Sequence, residues 1–151
     1  LAELDEAIYM LRERALGENK HLLYDEPDHV PPVMGDKNRL RQVFINIMDN
    51  ALKYTPASGV IGIQVTSDAD NIKIAISDNG CGIPAVHMPH IKDKFYKANQ
   101  TVRGSGIGLA VADEIMQLHG GSLDIESTEG IGTTVTLTIP VLHEEEEQEQ
   151  A

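Results

Sequence analysis

Three stretches of strict alternation constrain this 151-residue chain more than any other feature in it. Ile61, Ile63 and Val65 alternate with Gly62, Gln64 and Thr66, and Ile72, Ile74 and Ile76 repeat the pattern. Near the end, Val135, Leu137 and Ile139 alternate with Thr134, Thr136 and Thr138. Successive side chains of a strand point to opposite faces, so each stretch predicts a strand with one buried and one wet face. A sheet with a wet face is antiparallel or mixed, because all-parallel sheets are covered on both sides. Residues 67–71 join the first two strands as a hairpin. Leu123 and Ile125 mark another strand before a turn over 128–132, and His21–Tyr24 is a short strand candidate.

The buried face needs helices to cover it. Asp36 suits an N-cap, and Leu40, Val43, Phe44, Ile47, Met48, Ala51 and Leu52 follow at helical spacing. This predicts a helix over Lys37–Tyr54, ending where Thr55 precedes Pro56. Residues 1–17, with Leu4, Ile8, Leu11 and Ala15, read as a shorter helix. A third helix opens at 106–108, with Ile107, Val111, Ile115 and Leu118 on one face and Gly120-Gly121 closing it. The expected fold is α/β: a two-layer α/β sandwich, with a mixed, mostly antiparallel sheet and helices on one face.

Composition narrows the function. Hydrophobic residues are 41% and charged residues 24%, which fits a folded domain and not a membrane span. The N-terminus carries acids within its apolar pattern and does not read as a signal peptide. One cysteine, Cys81, excludes an internal disulfide and a Cys-cluster zinc site, and it suits the reducing cytoplasm. It reads as a small buried thiol. Twelve Lys+Arg against 24 Asp+Glu give a net charge of −12, which argues against nucleic acid as a partner. Glu144, Glu145, Glu146, Glu147 and Glu149 carry five of those charges, and −7 remains without them. A polyanionic ligand therefore needs a metal ion or a locally placed cation.

Three segments carry chemistry. On the predicted helix, Asn46, Asn50 and Lys53 stand at i, i+4 and i+7 and share one line beside the apolar stripe. Asn50 offers a neutral oxygen of the kind a hard cation accepts, Lys53 a point charge for phosphates, and Tyr54 a ring to lie against a base. Asp78 ends an alternating strand ahead of Gly80 and Gly82, which let a planar ring approach the backbone. A carboxylate there accepts a hydrogen bond from an exocyclic amine and so favours adenine over guanine. Gly104, Ser105, Gly106, Ile107, Gly108 and Leu109 run into a helix whose free N–H groups suit phosphate oxygens. No Lys-Ser/Thr follows, so this is not a Walker loop.

These segments, in this order, resemble the N, G1 and G2 boxes of sensor histidine kinase catalytic domains. That family shares the GHKL or Bergerat ATP-binding fold with type II topoisomerases, mismatch-repair ATPases and some chaperones. The resemblance extends over residues 1–141 and includes the run 35–43, His119-Gly120-Gly121 and Gly132-Thr133-Thr134-Val135. It implies ATP and Mg²⁺ as ligands. Asn50 would coordinate the metal, Asp78 would read the adenine amine, and Gly80, Gly82 and Ile83 would shape the base pocket. Tyr54 would flank the adenine, and Thr133 would support the carboxylate through its hydroxyl or through water. Lys53 would touch phosphates, and the 104–109 segment would cradle them beneath a lid. Phe95-Tyr96-Lys97 resembles the F box, with Phe95 packing the lid and Lys97 where an arginine is usual.

Two departures stand out: Lys92 occupies a position where the F box usually has an aromatic, and 98–103 is short for the lid. Hydrolysing relatives carry a glutamate base where this chain has Asn46. A neutral amide orients a group but does not take its proton, so transfer to an external nucleophile is expected over hydrolysis. The resemblance thus implies a kinase that uses Asn46, Lys53 and Lys97 in catalysis and a histidine on a separate dimerisation domain as acceptor. A response regulator would lie downstream. The isolated domain would be a monomer, the parent a cytoplasmic or membrane-anchored homodimer. A GHKL ATPase, a Ser/Thr protein kinase and a nucleotide sensor without catalysis are the alternatives. Residues 1–18 read as a linker or the end of a preceding helix, 19–141 as the ATP-binding domain and 142–151 as an acidic disordered tail.

Overall fold

The computed structural model describes residues 2–25, 27, 29–92 and 108–142. Helix α1 (Ala2–Gly17) leads to strand β1 (His21–Tyr24), helix α2 (Lys37–Tyr54) and the hairpin β2 (Val60–Ser67) and β3 (Asn71–Asp78). A 3₁₀ helix (Ala85–His90) precedes α3 (Gly108–Leu118), and β4 (Ser122–Thr128) and β5 (Gly132–Pro140) close the fold. The strands form one sheet in the order β1-β2-β3-β5-β4. Only β1 and β2 run parallel, so the described sheet is mixed and mostly antiparallel, as the alternation predicts.

The register stacks the alternating residues into rows on the helix-covered face. Val65, Ile74, Leu137 and Leu123 form one row, and Ile63, Ile76, Val135 and Ile125 the next. Each row joins four strands, which concentrates β-branched and aliphatic side chains where they pack as cross-strand neighbours. On the outer face Ser77 and Thr134 share a hydrogen bond of 2.9 Å, the polar counterpart of the buried rows.

Helix α2 supplies Leu40, Val43, Phe44, Ile47, Met48, Ala51 and Leu52 to the core, the stripe expected from its spacing. Asp36 caps it: its carboxylate accepts the Asn38 N–H at 3.0 Å and the Arg39 N–H at 3.2 Å. At the other end the Lys20 ammonium, nearly buried, donates to the Leu52 carbonyl at 2.5 Å, and the Thr55 hydroxyl donates to Ala51 at 2.6 Å. These bonds satisfy carbonyls that a helix end leaves without partners. Helix α1 shares the same core through Leu4, Ala7, Ile8, Leu11 and Ala15.

Helix α3 differs from the expected stripe. Its buried residues are Ala110, Ala112, Ile115 and Met116, whereas Leu118 is 66% exposed. Ala112, Ile115 and Met116 stand at i, i+3 and i+4 and define the face on the core. Leu118 is rotated roughly 110° from that face and falls in the last turn, beyond the cover of the sheet. Among the described residues no helix is long and apolar enough to cross a membrane.

Candidate functional site

The apolar rows of the sheet end in a polar one. Ile61, Asp78, Thr133 and Ser127 are register partners across β2, β3, β5 and β4, on the face the helices cover. The alternation that buries Ile72, Ile74 and Ile76 therefore sends Asp78 to the same face, at the rim of the core. Burial pushes its carboxyl above the usual aspartate value, and backbone N–H groups of Gly80 and Thr133 oppose that rise by favouring the charged form. The Gly80 N–H lies 2.9 Å from Oδ1. A half-buried carboxylate with two backbone donors retains lone pairs for an incoming amine.

The turn after Asp78 is wedged between α2 and the β4–β5 connection. The Cys81 N–H donates to the Tyr54 carbonyl at the end of α2 (3.2 Å), and the Cys81 carbonyl accepts the Gly130 N–H (2.7 Å). A Cβ on Gly80 would stand 2.2 Å from the Tyr54 oxygen. Gly82 adopts φ +70°, and a Cβ there would stand 2.1 Å from the Thr128 oxygen. Both glycines are thus required by contact of backbone with backbone. Because the turn docks through its main chain, the Cys81 side chain is left outside. The thiol is exposed, not the buried one expected from the sequence.

This docking joins two of the expected segments. Asn46, Asn50 and Lys53 follow one another along α2, all half-buried, and Tyr54 ends the helix against the turn at residues 79–82. Burial raises the Tyr54 phenol, and the neighbouring Cys81 adds to the rise. The Lys53 ammonium is 3.0 Å from Asp49 Oδ2, and Asp49 also accepts from Arg14 of α1. Burial pushes the Asp49 carboxyl up, but Arg14 and Lys53 outweigh it and hold it below the usual range.

Ile83 and Thr133 are tied together by a residue that sequence reasoning missed. Ser127 accepts the Ile83 N–H at 2.8 Å, donates to the Gly132 carbonyl at 3.0 Å and lies 2.8 Å from the Thr133 hydroxyl. Thr133 thus meets Asp78 through its backbone N–H and Ser127 through its hydroxyl. A signal did exist: Ser127 and Thr133 flank the 128–132 turn and so stand opposite each other in the hairpin. Lys92 is anchored as well, its ammonium donating to the Leu123 carbonyl at 2.6 Å and pairing with Asp113 at 3.2 Å.

Gly108 and Leu109 open α3, with Leu109 against the core. Phe95, Lys97, Gly104, Ser105, Gly106 and Ile107 lie outside the described residues. Among the described residues no three His, Cys, Asp or Glu side chains converge as metal ligands. Asn50, half-buried on α2, carries an amide oxygen of the kind a hard cation accepts.

The profile of the family described as histidine kinase-, DNA gyrase B-, and HSP90-like ATPase matches residues 35–143. The chain is 38% identical over 127 residues to sensor histidine kinase WalK of Bacillus subtilis, spanning 80% of this chain and 21% of that protein. It is 36% identical over 141 residues to adaptive-response sensory kinase SasA of Synechococcus elongatus, spanning 91% of this chain and 36% of that protein. The chain therefore spans well under half the length of these curated relatives. Among solved structures, the mycobacterial sensor histidine kinase MprB superposes with TM-score 0.78 at 25% identity, over 93% of this chain and 94% of that one. The catalytic domain of histidine kinase ThkA shares the fold, with TM-score 0.81 at 24% identity over 93% and 92% of the two chains.

Proposed function

Because the chain belongs to the histidine kinase-, DNA gyrase B- and HSP90-like ATPase family, we propose that it is the ATP-binding catalytic domain of a sensor histidine kinase. It passes the γ-phosphoryl of ATP to a histidine on a separate dimerisation domain. The observation that carries this reading is the polar row at the sheet's end. Asp78 and Thr133 stand side by side there, next to a turn docked on the asparagine-bearing helix.

In this reading Asp78 accepts the adenine amine, and Ile83 and Tyr54 bound the base. Asn50 would hold Mg²⁺ through its amide oxygen, a neutral donor of the kind that hard cation accepts. The chemistry the ion would supply there is positive charge beside the phosphates, which a chain of net charge −12 otherwise lacks. Lys53 reaches the phosphates by exchanging its Asp49 partner for them, and Asp49 keeps Arg14 when it does. Lys97 and the 104–109 glycine segment complete the phosphate side. Asn46, being neutral, orients the acceptor without activating water, so the phosphoryl goes to an imidazole nitrogen delivered from outside.

The parent protein is read as a homodimer that phosphorylates a response regulator, with this domain a monomer in the cytoplasm. WalK and SasA are both named as sensory kinases, which favours this reading over a free-standing ATPase or a Ser/Thr kinase. The test mixes the chain with ATP, Mg²⁺ and a histidine-bearing helical hairpin from a related kinase. Phosphate that is acid-labile and base-stable on the hairpin is the expected result. Acid-stable label, or release of free phosphate with an unlabelled hairpin, overturns it.

A further inference from the structure

The Ser127 hydroxyl has one proton and three neighbours, and counting protons fixes the polarity of the site. The Ile83 N–H can only donate, and the Gly132 carbonyl can only accept. Ser127 must therefore spend its proton on Gly132, 3.0 Å away, since turning it elsewhere would set two oxygens lone pair to lone pair. The contact with Thr133 at 2.8 Å then has one solution: Thr133 donates to Ser127. With its proton committed to β4, Thr133 Oγ1 has only lone pairs to offer on its other flank, where Asp78 is its cross-strand partner on β3.

We infer that Ser127 is a positioning residue for base selection, holding the Thr133 hydroxyl as an acceptor so that the pocket admits a 6-amino purine and rejects a 6-oxo one. This rests on the nucleotide-binding reading above and assigns it a residue that never touches the base. Asp78 and Thr133 together form a pair of acceptors, which matches an exocyclic amine and repels a keto oxygen. Were Thr133 free to rotate, its hydroxyl could donate to that oxygen and the discrimination would soften. The other bonds of Ser127 serve the same end: the Ile83 N–H is held by the same oxygen that fixes Thr133.

The experiment compares binding of ATP and inosine triphosphate, which differ at the 6-position, to the whole chain. Ser127→Ala is expected to lower the ATP-to-inosine preference about tenfold, ATP binding more weakly and inosine triphosphate more tightly. Ser127→Thr, which keeps the hydroxyl, retains the preference. Adding Thr133→Val to Ser127→Ala cancels the gain for inosine triphosphate, because no hydroxyl is left to donate. If Ser127→Ala fails to fold, Ser127→Cys carries the same comparison, a thiol being a weak hydrogen-bond group. Parallel loss of both ligands, an unchanged preference, or a gain that survives Thr133→Val overturns the inference. A wild-type chain that binds neither triphosphate instead overturns the nucleotide reading beneath it.

Discussion

His119, just past the end of α3, accepts the backbone N–H of Asp36, the N-cap of α2, on Nε2 at 3.0 Å. Its Nδ1 lies 2.8 Å from the Ile115 carbonyl, and the tautomer with its N–H on Nδ1 satisfies both contacts. One imidazole thus closes the end of α3 and fixes the start of α2, the helix that carries Asn46 and Asn50.

Removing this clasp in His119→Ala is expected to lower the unfolding free energy from denaturant titration by about 1 kcal/mol for each of its two hydrogen bonds. The two residues are also sterically coupled. A Cβ on Gly35 would lie 2.6 Å from His119 Cδ2. Gly35→Ala should therefore destabilise the wild type by about 1–2 kcal/mol and the His119→Ala background by clearly less. Additive effects in the double-mutant cycle would refute the contact.

In the proposed nucleotide site, Asp78 would tie ATP binding to pH. Burial raises its carboxyl above 3.8, so the folded state holds the proton more firmly than the unfolded chain does. Ionised Asp78 thus opposes folding above its folded value, and that opposition disappears as pH falls below the unfolded one. Asp78→Asn keeps an oxygen for the Gly80 N–H and should be at least as stable as wild type near pH 7, their difference closing in acid. Its ATP affinity should fall about ten- to a hundredfold. Titration calorimetry across pH should show wild-type affinity falling at a higher pH than an ordinary carboxylate would impose.

The pair Arg14 and Asp49 behaves in the opposite sense. Asp49 is held below 3.8 in the folded chain, so its contribution is present above the unfolded value and is lost as pH falls through the folded one. Asp49→Asn should cost up to about 1 kcal/mol at pH 7, a partly exposed pair being screened by solvent, and nothing at strongly acidic pH. Urea denaturation at both pH values measures the difference.

Gly82→Ala combines a positive φ with a backbone clash against Thr128. A loss of about 2 kcal/mol or more is expected, together with weakened ATP binding, because the turn beside Asp78 must shift. Thermal denaturation with and without nucleotide reads both effects. Unchanged stability would mean that the turn does not dock as described.

Much of the molecule was legible in the residues alone. Period-2 runs such as Ile72, Ile74 and Ile76 fix which side chains are buried without reference to any partner strand, and Asp36 with the stripe from Leu40 to Leu52 delimits α2. Asp78 was identifiable because it extends an alternating strand by one polar step. Helix α3 was read less well: a stripe through Leu118 is as regular as the one through Ala112 and Met116, and only the position of the sheet chooses between them. The exposure of Cys81 was hidden for a related reason, since composition favours burial and only the docking of the turn turns the thiol outward.

The sequence by itself determined the three α-helices and the strands, the inward faces of β2, β3 and β5, and the three polar segments. These follow from local periodicity and from the chemistry of single side chains; the 3₁₀ helix Ala85–His90 carries no such pattern. Tertiary structure decided the order β1-β2-β3-β5-β4 and the docking of the glycine turn on Tyr54. It also decided the convergence of Ile83, Ser127, Thr133 and Asp78 at the end of the sheet. Which way a hydroxyl such as that of Thr133 spends its proton depends on neighbours brought together by strand pairing, and no pattern along the chain encodes that choice.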